Sequence, residues 1–460
     1  GKTFTAVTFI YRLLKFAKKN VGAIHELPLQ KLPLQKDLPE GWVVSMLEDV
    51  VDILDSQRVP VNAKERENRK AKIPYYGATG QVGWIDDYLF DEELVLLGED
   101  GAPFLDANKQ KAYIIRGKSW VNNHAHVLKA KNGIPNAYIK YYLDIVNYQK
   151  FVTGTTRFKL NQSAMRQIPI PIAPPVEQKL IVSEIEKQFS RLDEAVAALK
   201  RVRASLKRYK ASMLKAAVEG KLTEGWRKRS GEVAAPFFET NKLRKGGETP
   251  PLQKQGADLP EGWRCAKLVE VAEINPKLSK NISDNVEVSF LPMKAVQEET
   301  GMIDLSITKK FEEVKRGYTS FINNDIIFAK ITPCMENGKI AIVENLRNSL
   351  GFGSTEFHVI RLHEPKSIKY LFYFLLQRDI RKQAQRSMTG TAGQLRVPAK
   401  FMQEIAVSLP PIPEQQKIVE EIESRLSVAE EIKATIDINL KRAERLRQAI
   451  LKQAFSGRLV

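Results

Sequence analysis

Two hydrophobic periods alternate along the chain. From Glu177 to about Val218, apolar residues recur every seven positions at Ile185, Leu192, Leu199, Leu206 and Met213. Ala195, Val202, Tyr209 and Ala216 each follow a member of that series by three residues, which makes the a/d seam along which helices pair. A second series runs through Ile422, Ala429, Ile436, Ala443 and Ile450, with Ile432 and Leu446 three residues on. Pro175 and Pro413 stand where proline tolerates a helix start, and Gly220 and Gly457 where glycine ends one. A helix of roughly 40 residues is about 60 Å long. Such a stripe can line the core of a single bundle, but two of equal length predict a long antiparallel coiled-coil pair.

Between these stripes the pattern shortens. Leu94–Leu97, Ala112–Ile115, Asp325–Phe328 and Ile340–Val343 are apolar runs of strand length, several bounded by Gly or Asn-Asp. Helical spacing appears at Ala137–Gln149 and Ile368–Gln385. The segments between the long helices are therefore expected to be mixed α/β (α+β) domains.

An internal repeat orders these pieces. Asp37-Leu-Pro-Glu-Gly-Trp42 returns as Asp258-Leu-Pro-Glu-Gly-Trp263, 221 positions later. Pro174-Pro-Val-Glu-Gln178 matches Pro411-Ile-Pro-Glu-Gln415 at a shift of 237, which holds to Gly220-Lys-Leu222 and Gly457-Arg-Leu459. The second copy is thus 16 residues longer in its middle. Thr153-Gly-Thr155 and Thr389-Gly-Thr391 precede the two proline clusters. The expected layout is a leading segment and linker (1–36), a first variable domain (37–175), a first helix (176–225) and a linker (226–257). A second variable domain (258–410) and a second helix (411–460) complete it. Within the leading segment, Leu27–Lys31 is repeated as Leu32–Lys36, a proline-punctuated linker.

Composition narrows the class. At 460 residues the chain is too long for one ordinary core, and 43% hydrophobic content rules out wholesale disorder. Two cysteines, Cys265 and Cys334, cannot make a disulfide scaffold and suit a reducing compartment. No apolar run approaches the roughly 18–20 residues that span a bilayer. The formal charge of +18 points to a polyanion. Its distribution is uneven: residues 1–36 hold seven basic residues and one acidic, and 176–229 hold fourteen and seven. The first variable domain has seventeen of each and the second 21 against 18. Any base reading must therefore rest on a few loop residues, with the basic helix free for backbone attraction or docking.

Catalytic signatures are weak. Amino-methyltransferases hold their target nitrogen in an Asn/Asp-Pro-Pro-aromatic loop; Asn275-Pro276-Lys277 is the nearest approach and lacks the second proline and the aromatic. Gly351-Phe-Gly353 reads as a turn rather than a cofactor loop. His124 and His126 lack the neighbouring ligands a metal needs and read as a loop or strand pair, so no metal site is expected. Gly1-Lys2-Thr3 before an amphipathic run to Lys19 looks like the end of a phosphate-binding loop without its glycines.

Binding chemistry is richer. Tyr75, Tyr76 and Thr79 offer stacking faces and a hydroxyl beside glycines, with Lys118 and Asn122 following in the same domain. Arg157, Lys159, Asn161 and Gln162 follow the first Thr-Gly-Thr, and Gln394 and Arg396 follow the second. Lys330, Thr332, Asn337 and Lys339 surround a turn. Arg and Lys suit guanine O6 and N7, and Asn and Gln suit adenine N6 and N7, while other contacts reach only phosphates.

The whole layout from 37 to 460 resembles the specificity subunit of type I restriction–modification systems, on the Leu-Pro-Glu-Gly-Trp, Thr-Gly-Thr, Pro-Pro-x-x-Glu-Gln and Gly-Lys/Arg-Leu motifs. Residues 1–19 separately resemble a fragment of the restriction (motor) subunit of those systems. The resemblance implies two target-recognition domains, each reading one half of a bipartite asymmetric site in double-stranded DNA. It implies that the helices set the spacing and dock two methyltransferase subunits, with two restriction subunits in the full complex. The chain itself would be non-catalytic and carry no cofactor; S-adenosylmethionine, ATP and Mg2+ would belong to its cytoplasmic partners. The competing readings are a self-contained modification enzyme and a coiled-coil adaptor without base readout.

Overall fold

The computed structural model describes residues 38–69, 71–230, 259–278, 282–391 and 393–460. The leading segment with its phosphate-loop-like and motor-like stretch, the Leu27–Lys36 repeat, and most of the 226–257 linker lie outside the described residues. Two compact units emerge: one runs to Arg203 and takes Ala434–Val460, the other is Ala204–Lys433.

In the first unit, strand Val43–Met46 pairs antiparallel with Pro169–Ile172 and closes the domain at its base. A four-stranded sheet follows in the order Val51–Ile53, Ala125–Ala130, Leu94–Gly98, Ala112–Ile115, all antiparallel. Leu94–Gly98 is buried throughout, which is why it reads as a continuous apolar run rather than an alternation. A second sheet has the order Gly80–Ile85, Ile73–Gly77, Lys118–Val121, Phe90–Asp91, and its central pair is parallel.

The second unit repeats this plan with different residues. Arg264–Lys267 pairs with Ala406–Leu409. One sheet has the order Ala272–Ile274, Phe357–Leu362, Asp325–Ala329, Ile340–Val343. The other has the order Thr308–Lys310, Glu287–Leu291, Leu350–Gly353, Thr319–Ile322, again with a parallel central pair. The middles, which differ in sequence apart from short motifs, therefore share one topology.

The seams form the helices Pro175–Val218 and Ile412–Ala454. In the first unit Ile181, Ile185, Phe189 and Leu192 share a core with Ala443, Leu446, Ile450 and Phe455. In the second, Met213, Leu214 and Val218 share one with Ile418 and Ile422. Early residues of one helix meet late residues of the other in each unit, so the pairing is antiparallel. Asp193–Arg447 and Arg203–Asp437 keep the register in the first unit and Lys210–Glu430 in the second. Leu199, Leu206 and Ile436 are buried as the seam requires, whereas Ile432 is only half-buried and sits at the margin of its stripe.

The repeated flanks make the same joint twice. Trp42 Nε1 donates to Glu177 Oε2 at 3.1 Å, and Trp263 Nε1 donates to Glu414 Oε2 at 2.8 Å. Gln178 and Gln415 turn back to donate to the carbonyls of Ala173 and Pro410, at 2.8 and 2.9 Å. Gly457 ends the second helix against Pro39, and Gly220 ends the first against Pro260; a Cβ at either would overlap the proline ring. Each unit is thus closed by a helix end that belongs to the other repeat.

Two helical expectations were too long. The segment expected at Ala137–Gln149 is α-helical only over Asn136–Leu143, with a separate 3-10 turn at Tyr148–Lys150. After Leu143 the Asp144 carboxylate turns to accept the amides of Lys111 and Ala112. The segment expected at Ile368–Gln385 is two helices, Ile368–Leu376 and Arg378–Ser387. Gln377 between them has extended backbone, and its side chain donates to the Phe374 carbonyl at 2.9 Å.

Candidate nucleic-acid interface

In both units the loop that leaves the buried central strand is stitched to the Thr-Gly-Thr hairpin. In the first, Asp100 bridges to Lys159, Gly101 N–H donates to the Phe158 carbonyl, and Leu160 N–H donates to that of Glu99. In the second, Ile331 bridges to Arg396, Thr332 N–H donates to Leu395, and Val397 N–H donates to Lys330. In the second unit the backbone thus brings Lys330 and Thr332 beside Gln394 and Arg396, whereas in the first it sets Arg157 and Lys159 beside the acidic Glu99 and Asp100; the positions Lys159 and Arg396 correspond.

A cleft of about 700 Å³ opens at that edge in the first unit, lined among others by Gly77, Thr79, Val82, Asp100, Asn122 and Arg157. Thr79 is exposed, and Arg157 is held by Asp100 Oδ1 at 2.6 Å while remaining largely exposed. Lys159 lies 3.4 Å from Glu99, and the exposed Asn161 begins a short helix whose first residue, Gln162, donates to Asp55 at 3.0 Å. Tyr76 is half-buried against Tyr113.

Of the other residues proposed from sequence, Tyr75 and Lys118 lie away from the cleft, and Asn122 lines it from a buried position. Tyr75 is only 1% exposed and its hydroxyl bonds both the amide and the carbonyl of Val61, so it is a core residue. Asn122 is buried, and its side chain accepts from the His124 amide, which leaves its amide group facing the cleft lining. Lys118 begins the strand whose other end leads to Asn122, and its ammonium rests over the Tyr88 ring at 4.5 Å.

In the second unit Arg396 makes a bidentate pair with Glu356, at 2.8–3.1 Å. That pair holds the Glu356 carboxyl below its usual range. Lys330 stands beside it, half-buried, with no ion-pair partner among the described residues. Gln394 is exposed. Thr332 donates to Glu336 at 2.8 Å and the exposed Asn337 to Glu298 at 2.8 Å. Lys339, by contrast, turns inward to the Met293 carbonyl at 3.1 Å and clamps a loop.

The histidines are the main addition to the sequence reading. His126 is fully buried; Nδ1 lies 2.6 Å from Asp55 Oδ2 and Nε2 lies 2.8 Å from the Leu160 carbonyl. His358 occupies the same place in the second unit, with Nε2 2.8 Å from the Val397 carbonyl and Nδ1 3.2 Å from Asn275 Nδ2 and 3.4 Å from Asn275 Oδ1. Asp55 and Asn275 also accept the amide that follows each histidine, from Val127 at 2.8 Å and Val359 at 3.0 Å. The recurring His-Val-Leu and His-Val-Ile tripeptides were the signal in the sequence.

His126 does gain acidic neighbours, contrary to expectation: ligand atoms of Asp55, Glu99 and His126 lie within 4.8 Å of one another. The charge there is met by Arg58, which donates to Glu99 at 2.7 Å and to the Ala125 carbonyl at 2.7 Å, and lies 3.5 Å from Asp55. Burial alone would raise the Asp55 carboxyl; the hydrogen bond from His126, its charge, the Val127 amide and Arg58 outweigh that and hold it low. His358 is shifted down, by burial first and by the charge of Lys330, against the opposing pull of the Val397 carbonyl and Glu356.

Two domains of one topology, each on half of an antiparallel helix pair and each with different side chains on the same stitched edge, define a duplicated frame with two unlike surfaces. The family model for the type I restriction modification DNA specificity domain matches residues 39–207 and 260–442, and the chain belongs to that family. It is 24% identical over 425 residues to the EcoDI specificity subunit of Escherichia coli, a match covering 92% of this chain and 89% of that one. It is 34% identical over 252 residues to the EcoAI specificity subunit of the same species, covering 52% of this chain and 42% of that protein. The matched stretch therefore spans less than half of the EcoAI subunit. The fold is similar to that of the HsdS subunit from Thermoanaerobacter tengcongensis, with a TM-score of 0.51 at 16% identity, covering 92% of this chain and 98% of that one. It is also similar to a chain from a structure of the type I R-M system, with a TM-score of 0.59 at 16% identity, covering 93% and 100%.

Proposed function

We propose that this chain is the DNA-specificity subunit of a type I restriction–modification complex and that each domain reads one half of a bipartite, asymmetric DNA site. The observation that carries this reading is the stitched loop and hairpin found in both units. The frame is the same, but Glu99 and Asp100 stand in one unit where Lys330 and Ile331 stand in the other. Unlike half-sites require unlike side chains on one scaffold. Arg157, Lys159, Lys330 and Arg396 supply donors for guanine edges or phosphates, and Asn161, Gln162 and Gln394 supply amides for adenine.

The chain is proposed to work without catalysis or cofactor of its own. Two methyltransferase subunits would bring S-adenosylmethionine, and two restriction subunits would bring ATP and Mg2+, in the cytoplasm. A target adenine must leave the duplex to be methylated, so the reader has to hold the duplex while a partner acts on the base. The antiparallel helices would fix the half-site spacing and offer docking faces. In the second unit a groove of about 960 Å³ is lined by Leu214, Phe372, Tyr373 and Leu426, by basic residues including Lys207, Arg208, Arg378 and Lys382, and by Glu299, Glu336 and Glu430. Lysines and arginines outnumber the glutamates around the apolar floor, which suits a protein segment carrying acidic residues.

None of the described helices is long and apolar enough to cross a membrane. The experiment is to purify the chain alone and with its methyltransferase subunit. The complex is expected to methylate duplexes carrying one split site and the isolated chain to transfer no methyl group. Methyl transfer by the isolated chain, or a complex with no sequence preference, overturns the proposal.

A further inference from the structure

We propose that Asn122 is a specificity-determining residue of the first domain, and that its amide Nδ2 reads an acceptor atom on the edge of a base entering the cleft of about 700 Å³. This inference rests on the proposal that the stitched edge reads DNA, and it names the base chemistry read at one position.

Hydrogen bonding fixes which end of the amide is offered. Asn122 follows the strand Lys118–Val121, and its own N–H donates to the Tyr76 carbonyl at 3.1 Å. Its Oδ1 accepts the His124 N–H at 2.9 Å. An amide turned the other way would set Nδ2 against that N–H, donor against donor. Nδ2 therefore points away from the turn and across Gly77, where a Cβ would lie 3.3 Å from it. Both Gly77 and Asn122 line the cleft. Asn122 is 8% exposed, yet Nδ2 has no hydrogen-bond partner among the described residues. A donor this deep calls for an acceptor.

The cleft favours a base edge over a phosphate. Its Arg157 is already held by Asp100 at 2.6 Å, and the Asp100 carboxylate lines the same cleft. That carboxylate repels a phosphate, whereas a base edge carries no net charge. Guanine O6 and N7, adenine N7 and thymine O4 accept from a donor in the major groove, while cytosine presents its N4 hydrogens. Asn122 thus selects against cytosine. The second domain builds the same turn with another group. Ser354 follows the strand Leu350–Gly353, its N–H donates to the Leu291 carbonyl at 3.2 Å, and its Oγ accepts the Glu356 N–H at 3.2 Å. One turn carries an amide in one domain and a hydroxyl in the other, as unlike half-sites require.

The test measures binding of the complex with its methyltransferase subunits to duplexes carrying the motif it methylates, each position replaced in turn by the other three bases. Arg157→Ala identifies the first domain's half by relaxing it. Asn122→Asp keeps an oxygen for the His124 amide and exchanges only Nδ2 for an acceptor, which matches cytosine N4. At one position of that half, cytosine is expected to bind at least about 10-fold more weakly than the native base. Asn122→Asp should abolish or invert that preference and leave the other half unchanged. Gly77→Ala, which keeps Asn122 but crowds Nδ2, should weaken the same preference. If the complex ranks bases but neither variant alters the ranking, this inference alone is overturned. The same holds if the altered position lies outside the half relaxed by Arg157→Ala, or if both variants weaken every sequence equally, as loss of a phosphate contact would. A complex that ranks no base at any position overturns the DNA-reading proposal and this inference with it.

Discussion

At the scale of single residues, the repeated motifs differ in how deeply they are buried, and stability should reflect that. Glu414 has its side chain 3% exposed and accepts from Trp263, Thr223 and Arg227. Glu177 is half-exposed and accepts from Trp42. A hydrogen bond to a buried charge is worth about 1.5–3 kcal/mol, and water can replace one that is partly exposed. Trp263→Phe should therefore destabilise its unit by about 2 kcal/mol and Trp42→Phe by no more than about 1 kcal/mol, measured by urea denaturation.

Acid should also act unevenly. The His358 imidazole binds its proton less readily folded than unfolded, so its contribution is complete above about pH 6.5 and is lost as pH falls below that value. The lowered Asp55 carboxyl contributes above about pH 4 and loses that contribution as pH falls through its folded value. Trp226 and Trp263 report the second unit and Trp42, Trp84 and Trp120 the first, so fluorescence against pH should show the second unit weakening first. Side-chain direction was the hardest thing to read from the sequence. Tyr75 and Tyr76 look alike, yet adjacent strand positions point to opposite faces, and Tyr75 points into the core.

At the scale of elements, period and punctuation were legible because they are local. The heptad stripes match the helices Pro175–Val218 and Ile412–Ala454, and the four apolar runs match strands to within a residue. What failed was the extent of the two shorter helices, which side-chain bonds of Asp144 and Gln377 decide. Neither bond has a signature in hydrophobic period.

The helix-ending glycines test the repeated joint. Gly220 and Gly457 have φ of +70° and +66°, and a Cβ would strike Pro260 and Pro39. Alanine at either should cost more than about 1 kcal/mol, from left-handed strain plus overlap. Gly225, in the helix Glu224–Ser230, has open space where a Cβ would go. Gly225→Ala is expected to be neutral or to stabilise by up to about 1 kcal/mol in the same denaturation assay.

At the scale of the whole molecule, the net charge pointed to a polyanion without showing where the proposed base reading would take place. The first variable domain is balanced, and the basic excess lies largely in residues 1–36 and 176–229. The near-neutral domains instead hold several of their cations in ion pairs, Arg157 with Asp100 and Arg396 with Glu356, while Lys330 has no such partner among the described residues. An arginine already oriented by a carboxylate presents its remaining donors in a fixed direction, which favours discrimination over bulk attraction.

The central claim is that two domains on a common frame read two unlike half-sites. Its most direct test maps the methylated positions in cells carrying the chain and its methyltransferase subunit, with and without Lys330→Ala. The account predicts one split motif with unlike halves, and a variant motif degenerate at bases of one half only. A single continuous motif, no motif, or equal degeneration of both halves would contradict it.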